Sequence, residues 1–314
     1  MLKLVVQRIL SAMPVLLMVA ICVFALFQLI PIDAPAVILG EGATPEAMAR
    51  LAEEMGLNRP APVIFLEWVS GTVKGDLGIS YITRSPVMDE LVDRLPITLT
   101  LATGGILVAI SLGIPVGVMA ALNRNSVLDR FLTSVVSLLL AMPAFWLALL
   151  LSLYFAVRLR WLPVSGYTPF GDDPKAWFMG FILPWLSLGF GATASIARHA
   201  RSAMIEQLDS SYVRSLVARG CPSFKLVFRY CLKNAMIPVL AVIGMLTTLM
   251  LSGSLVIERV FALPGIGILI QNSLQSGDVP VLQAVVLVIA GFVILVNLCV
   301  DILYGLLDPK VRPQ

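Results

Sequence analysis

The residues able to make or break covalent bonds are few in this chain and badly spaced for the task. His199 is the single histidine, and it sits beside Arg198 and Arg201 at what reads as a solvated helix end. It offers neither a metal site nor a base for a buried nucleophile. Cys22, Cys221, Cys231 and Cys299 show no metal-ligand spacing, and reduced thiols are expected. There is no H-E-x-x-H pair and no G-x-x-x-x-G-K-[S/T] phosphate loop, so the chain is not expected to be an enzyme or to hold ATP itself. No catalytic, cofactor-binding or metal residue is expected, and no nucleic-acid partner. The conspicuous polar stretch is instead "VARGCPSFKLVFRYCLKNAMIPVL", residues 217–240. It is basic and helix-patterned, and it runs straight into an apolar segment.

Read locally, that stretch is helix, stop, restart. Tyr212, Val213, Leu216 and Val217 share one helical face, and Gly220 stands where a left-handed C-terminal cap would sit. Pro222 suits the opening turn of the next helix. There Phe224, Val227, Phe228, Cys231 and Leu232 recur at helical spacing, with Lys225, Arg229 and Lys233 along the opposite face. Two readings fit. The cations can touch anionic lipid from an interfacial helix, or the glycine corner can be a knuckle that a partner protein grips.

The elements that must position this corner are membrane spans. The composition is 59% hydrophobic and only 13% charged, with a mean hydropathy of +0.94, which excludes an ordinary soluble domain. Apolar runs long enough to cross a bilayer cover 9–30, 97–122, 131–157, 178–197, 237–257 and 282–304. The expected fold is an all-α polytopic bundle of six spans, with both ends on one side. One set of loops carries thirteen cations against four acids (Asp129, Glu206, Asp209, Asp308), the other nine cations against fourteen acids. The first set, which includes Lys3, Lys310, Arg312 and the 198–236 loop, is therefore assigned to the cytoplasm with both termini. Lys3 and Arg8 before an apolar stretch, with Ala34-Pro35-Ala36 after it, resemble a signal peptide, but about 22 apolar residues suit a retained span better.

Outside, the 31–96 segment reads as ordered. Thr44 can cap a helix that has Pro45 at its first position and Met48, Leu51 and Met55 on one face, with Gly56 as a stop. A second piece, "PVIFLEWVSGTVKG", leads into "GDLGISYITRSPV", a turn region. Pro115, Pro143 and Pro184 lie inside spans and should kink them.

"YVRSLVARG" followed by "CPSFKLVFRYCLKNAMIPVL" resembles the EAA loop of ATP-binding-cassette importer permeases, in the branch that imports dipeptides, oligopeptides and nickel. "GDLGISYITRSPVMDELVDRLPITLTL" (75–101), "LPVSGY" (162–167), "VFALPGIG" (260–267) and "LLDPKVR" (306–312) resemble the same branch, in order and over most of the chain. Glu-Ala-Ala itself is absent, with Val213, Arg214 and Ser215 near its place. The resemblance implies a type I importer permease fold: a first helix plus external segment over 1–96, then a permease core over 97–314 with its coupling loop at 198–236. It implies a multi-pass subunit of the bacterial inner membrane, surrounded by lipid. Its partners would be a second related permease, two ATPase subunits carrying the ATP and magnesium, and an external substrate-binding protein. The 211–233 corner would enter a groove on an ATPase, with Gly220 permitting the turn, Ala218 allowing close approach, and Arg214 and Arg219 making polar contacts at the rim.

The transport path is less marked. Thr247, Thr248 and Ser252, with Gly244 and Ser254, give the fifth span a small, polar character that suits a channel lining and equally suits helix packing. Asp301 is the only acid that these boundaries place inside a span. A secondary transporter would want buried charges near the midplane, and an ATP-independent channel would lack ATPase partners. Short peptides are the expected cargo, with nickel or glutathione as alternatives within the same importer class.

Overall fold

The computed structural model describes residues 2–29, 34–40, 42–55 and 57–307, which are mostly helical. In chain order, α1 (Leu2–Leu29) is the first apolar helix and α2 (Ala34–Leu39) is a short helix after it. α3 (Pro45–Glu54) starts as its sequence dictates: Thr44 Oγ1 accepts from the Ala47 amide at 3.3 Å, and Pro45 opens the helix, where no amide is needed. Gly56, the expected stop, lies outside the described residues, as do Asp308, Lys310 and Arg312 of the terminal motif and the Lys3 side chain. α4 (Ala61–Val73) matches the second helical piece expected between the first two spans.

α5 (Val87–Leu122) is the next long helix. α6 (Val127–Ala141) is capped by Ser126, and α7 (Ala144–Leu151) passes into a π-helical turn over Ser152–Arg158. α8 (Pro174–Leu208) is capped by Asp173, whose side chain accepts from the Lys175 and Ala176 amides. α9 (Ser211–Ala218) follows a short link. α10 (Ser223–Lys225), a π-helical stretch over Leu226–Cys231 and α11 (Leu232–Val260) join end to end, and Ser223–Val260 counts as one span. α12 (Ile266–Ser276) and α13 (Val279–Leu307) complete the order.

Among the described residues, five helical runs are long and apolar enough to cross a membrane, and the expected third span is a sixth region of a different kind. There α6 and α7 meet at a bend of 102°. The cause is local. Proline's ring disfavours helical backbone at the preceding residue, and here Met142 is extended at φ −84°, ψ 126°. Pro143 therefore breaks the helix, whereas Pro115 and Pro184 are accommodated inside α5 and α8. Most of the 198–236 stretch is also helical continuation, since α8 reaches Leu208 and the next span begins at Ser223.

The chain divides into two compact units. The first holds Thr98–Leu263 with the first few residues and Leu295 onward. Its buried axis is α8, which α5 approaches closely: a Cβ at Gly113 would lie 2.9 Å from Ile196, and one at Gly117 would lie 2.4 Å from the Ala197 carbonyl oxygen. Small residues at this spacing let two helices pack backbone to backbone where lipid offers no hydrophobic drive. Trp185 Nε1 donates to the Thr100 carbonyl at 2.9 Å on the same seam.

The second unit holds 7–97 and 264–294. Leu77, Val87 and Leu91 pack there with Ile266 and Leu269 of α12 and Val281, Ala284 and Val285 of α13. A polar clamp crosses this core. Ser80 Oγ donates to Asp278 Oδ2 at 2.5 Å and the Tyr81 amide donates to Oδ1 at 3.1 Å, with Ser80 and Asp278 both buried. Burial, and then the adjacent Asp278 carboxylate, raises the Tyr81 phenol above its ordinary range. Phe24 of α1 meets Phe65 and Trp68 of α4 at ring-centroid distances of 5.3 and 6.2 Å.

Candidate functional site

The glycine corner forms from backbone hydrogen bonding that the sequence dictates. α9 has to end with free carbonyls, and they are taken up when the chain turns left-handed at Gly220, φ +74°. The Cys221 amide then reaches the Leu216 carbonyl at 3.0 Å and the Gly220 amide reaches Val217 at 2.9 Å, the double bond of a Schellman motif. No atom lies within 4 Å of where a Cβ on Gly220 would stand, so the glycine is required by conformation rather than by space.

Beneath the corner is a core. Val213, Leu226, Val227 and Cys231 are buried against Val118 and Ala121 of α5, Ala203 and Met204 of α8, and Ala235 of α11. Tyr212 ties the ends together: its hydroxyl donates to Gln207 Oε1 at 2.9 Å and accepts from Asn234 Nδ2 at 3.3 Å. The corner is thus anchored to the ends of α5, α8 and α11.

The outer face departs from the expected register. Phe224 and Phe228, expected on the buried face with Val227 and Cys231, are 76% and 50% exposed, and Val217 is 57% exposed. The π-helical turn over Leu226–Cys231 is the reason, because its wider turn displaces the 3.6-residue stripe that the sequence suggests. The two phenylalanine rings lie 4.6 Å apart and face outward together. Around them Ala218, Arg219, Gly220, Lys225 and Arg229 are exposed. Arg214 is exposed as well and donates to the Asp209 carbonyl at 3.2 Å. The structure therefore brings Arg214, Ala218, Arg219 and Gly220 onto one solvent-facing corner with an apolar pair beside them.

The residues suggested for a pathway turn much of their polarity inward. Thr247, Thr248 and Ser252 donate to the carbonyls of Ile243, Gly244 and Thr248 on their own helix. Gly244 is a packing position, since a Cβ there would lie 2.8 Å from Val300 of α13. His199 is exposed, its Nδ1 2.8 Å from the Ser195 carbonyl oxygen.

Sequence reasoning missed a buried acid. Asp301, half-buried in α13, is not the only acid within a spanning helix: Glu258 is fully buried in the last turn of α11 and accepts from Thr98 Oγ1 at 2.6 Å. The expected span stopped one residue short. The signal was present, because Glu258 continues the buried face through Leu251, Ser254 and Ile257.

Comparison with known proteins places this architecture. The family model described as the binding-protein-dependent transport system inner membrane component matches residues 113–313, and the model for the N-terminal part of such components matches 1–102. The chain is 38% identical to the probable peptide ABC transporter permease protein y4tP of Sinorhizobium fredii over 308 residues, 98% of each chain. It is 35% identical to the dipeptide transport system permease protein DppB of Escherichia coli, covering 99% of both. Among solved structures, a chain of the inward-facing MetNI methionine ABC transporter matches with a TM-score of 0.57 at 20% identity, over 70% of this chain and 97% of that one.

Proposed function

Because the chain belongs to the family of inner membrane components of binding-protein-dependent transport systems, we propose that it forms half of the pathway of an importer for short peptides and is driven through its glycine corner. The relatives named for peptide and dipeptide transport support this cargo. In this reading both termini and the corner face the cytoplasm, a second related permease completes the pathway, and two ATPase subunits dock below. A substrate-binding protein delivers cargo from outside.

The observation that carries the coupling role is the exposed Phe224–Phe228 pair on a corner otherwise anchored by a buried core. An exposed apolar pair with a basic rim is the composition of a protein contact. Rigid anchoring is what a contact needs if it is to move spans rather than merely bind. Gly220 supplies the turn, Ala218 the close approach, and Arg214 and Arg219 the polar rim. Thr247, Thr248 and Ser252 are proposed as partial lining of the route. Aqueous labelling of a cysteine placed at Thr248 tests that, and a site unreachable from either side in every nucleotide state removes it from the route.

Pull-down of the tagged chain from native membranes in mild detergent, followed by mass spectrometry, tests the assembly. A second permease and nucleotide-binding subunits are expected in the eluate. A chain recovered alone, under conditions that keep other membrane complexes intact, would overturn it. Uptake competition between dipeptides and nickel decides the cargo.

A further inference from the structure

The first unit contains a polar cleft whose lining includes none of the residues proposed for the pathway or the coupling corner. Two confluent hollows, of about 270 and 760 Å³, share Thr133, Ser137 and Arg201. Arg198 lines one and Arg130 the other. On α6, besides the buried Asp129, the polar residues Arg130, Thr133, Ser134 and Ser137 recur at helical spacing among apolar ones, which is a costly stripe to expose to hydrocarbon.

The floor of the cleft is fixed. Asp129 is buried, and it accepts from Arg201 Nε and Nη2 at 2.7 Å each and from the Asn125 amide at 3.0 Å. That ion pair is internally neutral. Among the described residues no ion pair holds the exposed Arg130 or Arg198. The cleft therefore presents about two uncompensated positive charges above a rigid, neutral base.

Polarity changes in one direction along α6. Arg130 lies near its start, the hydroxyls of Thr133 and Ser137 follow, and Leu140 is one turn deeper, with Val116 of α5 also on the wall. Cation, hydroxyl and hydrocarbon in that order match an amphipathic anion entered head outward. We propose that this cleft binds one anionic glycerophospholipid, with its phosphodiester between Arg130 and Arg198 and an acyl chain along Leu140 and Val116. Assignment to the cytoplasmic leaflet rests on the orientation proposed above, but binding itself does not. Basic pockets between spanning helices are suited to such headgroups.

The test is native mass spectrometry of the purified complex after delipidation, titrated separately with phosphatidylglycerol, phosphatidylcholine and inorganic phosphate. One phosphatidylglycerol should be retained in preference to phosphatidylcholine, and Arg130→Gln and Arg198→Gln should each weaken retention roughly fivefold. An unchanged melting temperature of the lipid-free variants separates lost binding from lost folding. Equal retention of the two lipids, or full retention by the double variant, overturns the proposal. Displacement of phosphatidylglycerol by inorganic phosphate at comparable concentration would make this a site for soluble anions and overturn it too. Because retention is read without transport, its failure leaves the importer assignment standing, and failure of that assignment leaves the binding result intact.

Discussion

Asp129 shows how a single side chain can organise a helix junction. It caps no helix itself, yet it joins the Asn125 turn, Thr133 and Arg201 through one carboxylate. Replacing it by asparagine removes the charge that Arg201 was placed to meet. Asp129→Asn should therefore cost about 2 kcal/mol, below the range for fully buried pairs because Arg201 keeps 29% exposure. A lower melting temperature of the detergent-solubilised chain is the measurement. Gly220 is a contrasting case: with open space around it, Gly220→Ala should cost about 1 kcal/mol in backbone strain alone and leave the complex assembled. Gly220→Val should uncouple ATP hydrolysis from uptake, and ATP-driven uptake surviving that change would count against the coupling role. Both residues differ in how readily the sequence discloses them. Gly220 follows an amphipathic run and announces its cap, whereas the partnership of Asp129 with Arg201 spans 72 positions and leaves no local pattern.

Among elements, the short pieces between the spans carry most of the specific geometry. Thr44-Pro45 announced α3 because capping is a local interaction within one turn. α12 had no such announcement, being eleven residues between two spans; it packs on Leu77, Val87 and Leu91 through Ile266 and Leu269, and just past its end Asp278 bonds Ser80, 198 residues away. Ser80→Ala would leave Asp278 buried with one donor fewer, at a cost of about 1–3 kcal/mol. Faster amide exchange over 76–87 and 277–282, with exchange in α8 unchanged, is the expected signature. At the glycine corner, register was the illegible part. Apolar residues at 224, 227, 228 and 231 look like one buried stripe until the π-helical turn sends both phenylalanines outward. Phe224→Ser with Phe228→Ser should therefore leave the melting temperature nearly unchanged while removing the ATPase subunits from a pull-down.

For the whole molecule, composition and the spacing of apolar runs were enough to expect a spanning helical bundle, because lipid leaves the backbone few alternatives. The break at Met142–Pro143 was underestimated, since proline is often absorbed inside spanning helices, as Pro184 is here. A proteoliposome containing the full complex should take up a labelled dipeptide only with ATP inside and loaded binding protein outside. Omission of either should abolish uptake. Beyond that requirement stands the continuous helical run from Ser223 to Val260, its π-helical turn included. At 1.5 Å per residue it extends roughly 57 Å, so a tilt of about 10° around its middle swings each end by roughly 5 Å, in opposite directions. One end carries Phe224 and the other Glu258. Under the importer reading proposed above, a ligand that favours one tilt from one end changes the affinity at the other, and thermodynamic reciprocity makes the effect mutual: cargo bound at one end would alter how tightly the partner ATPases hold ATP at the other.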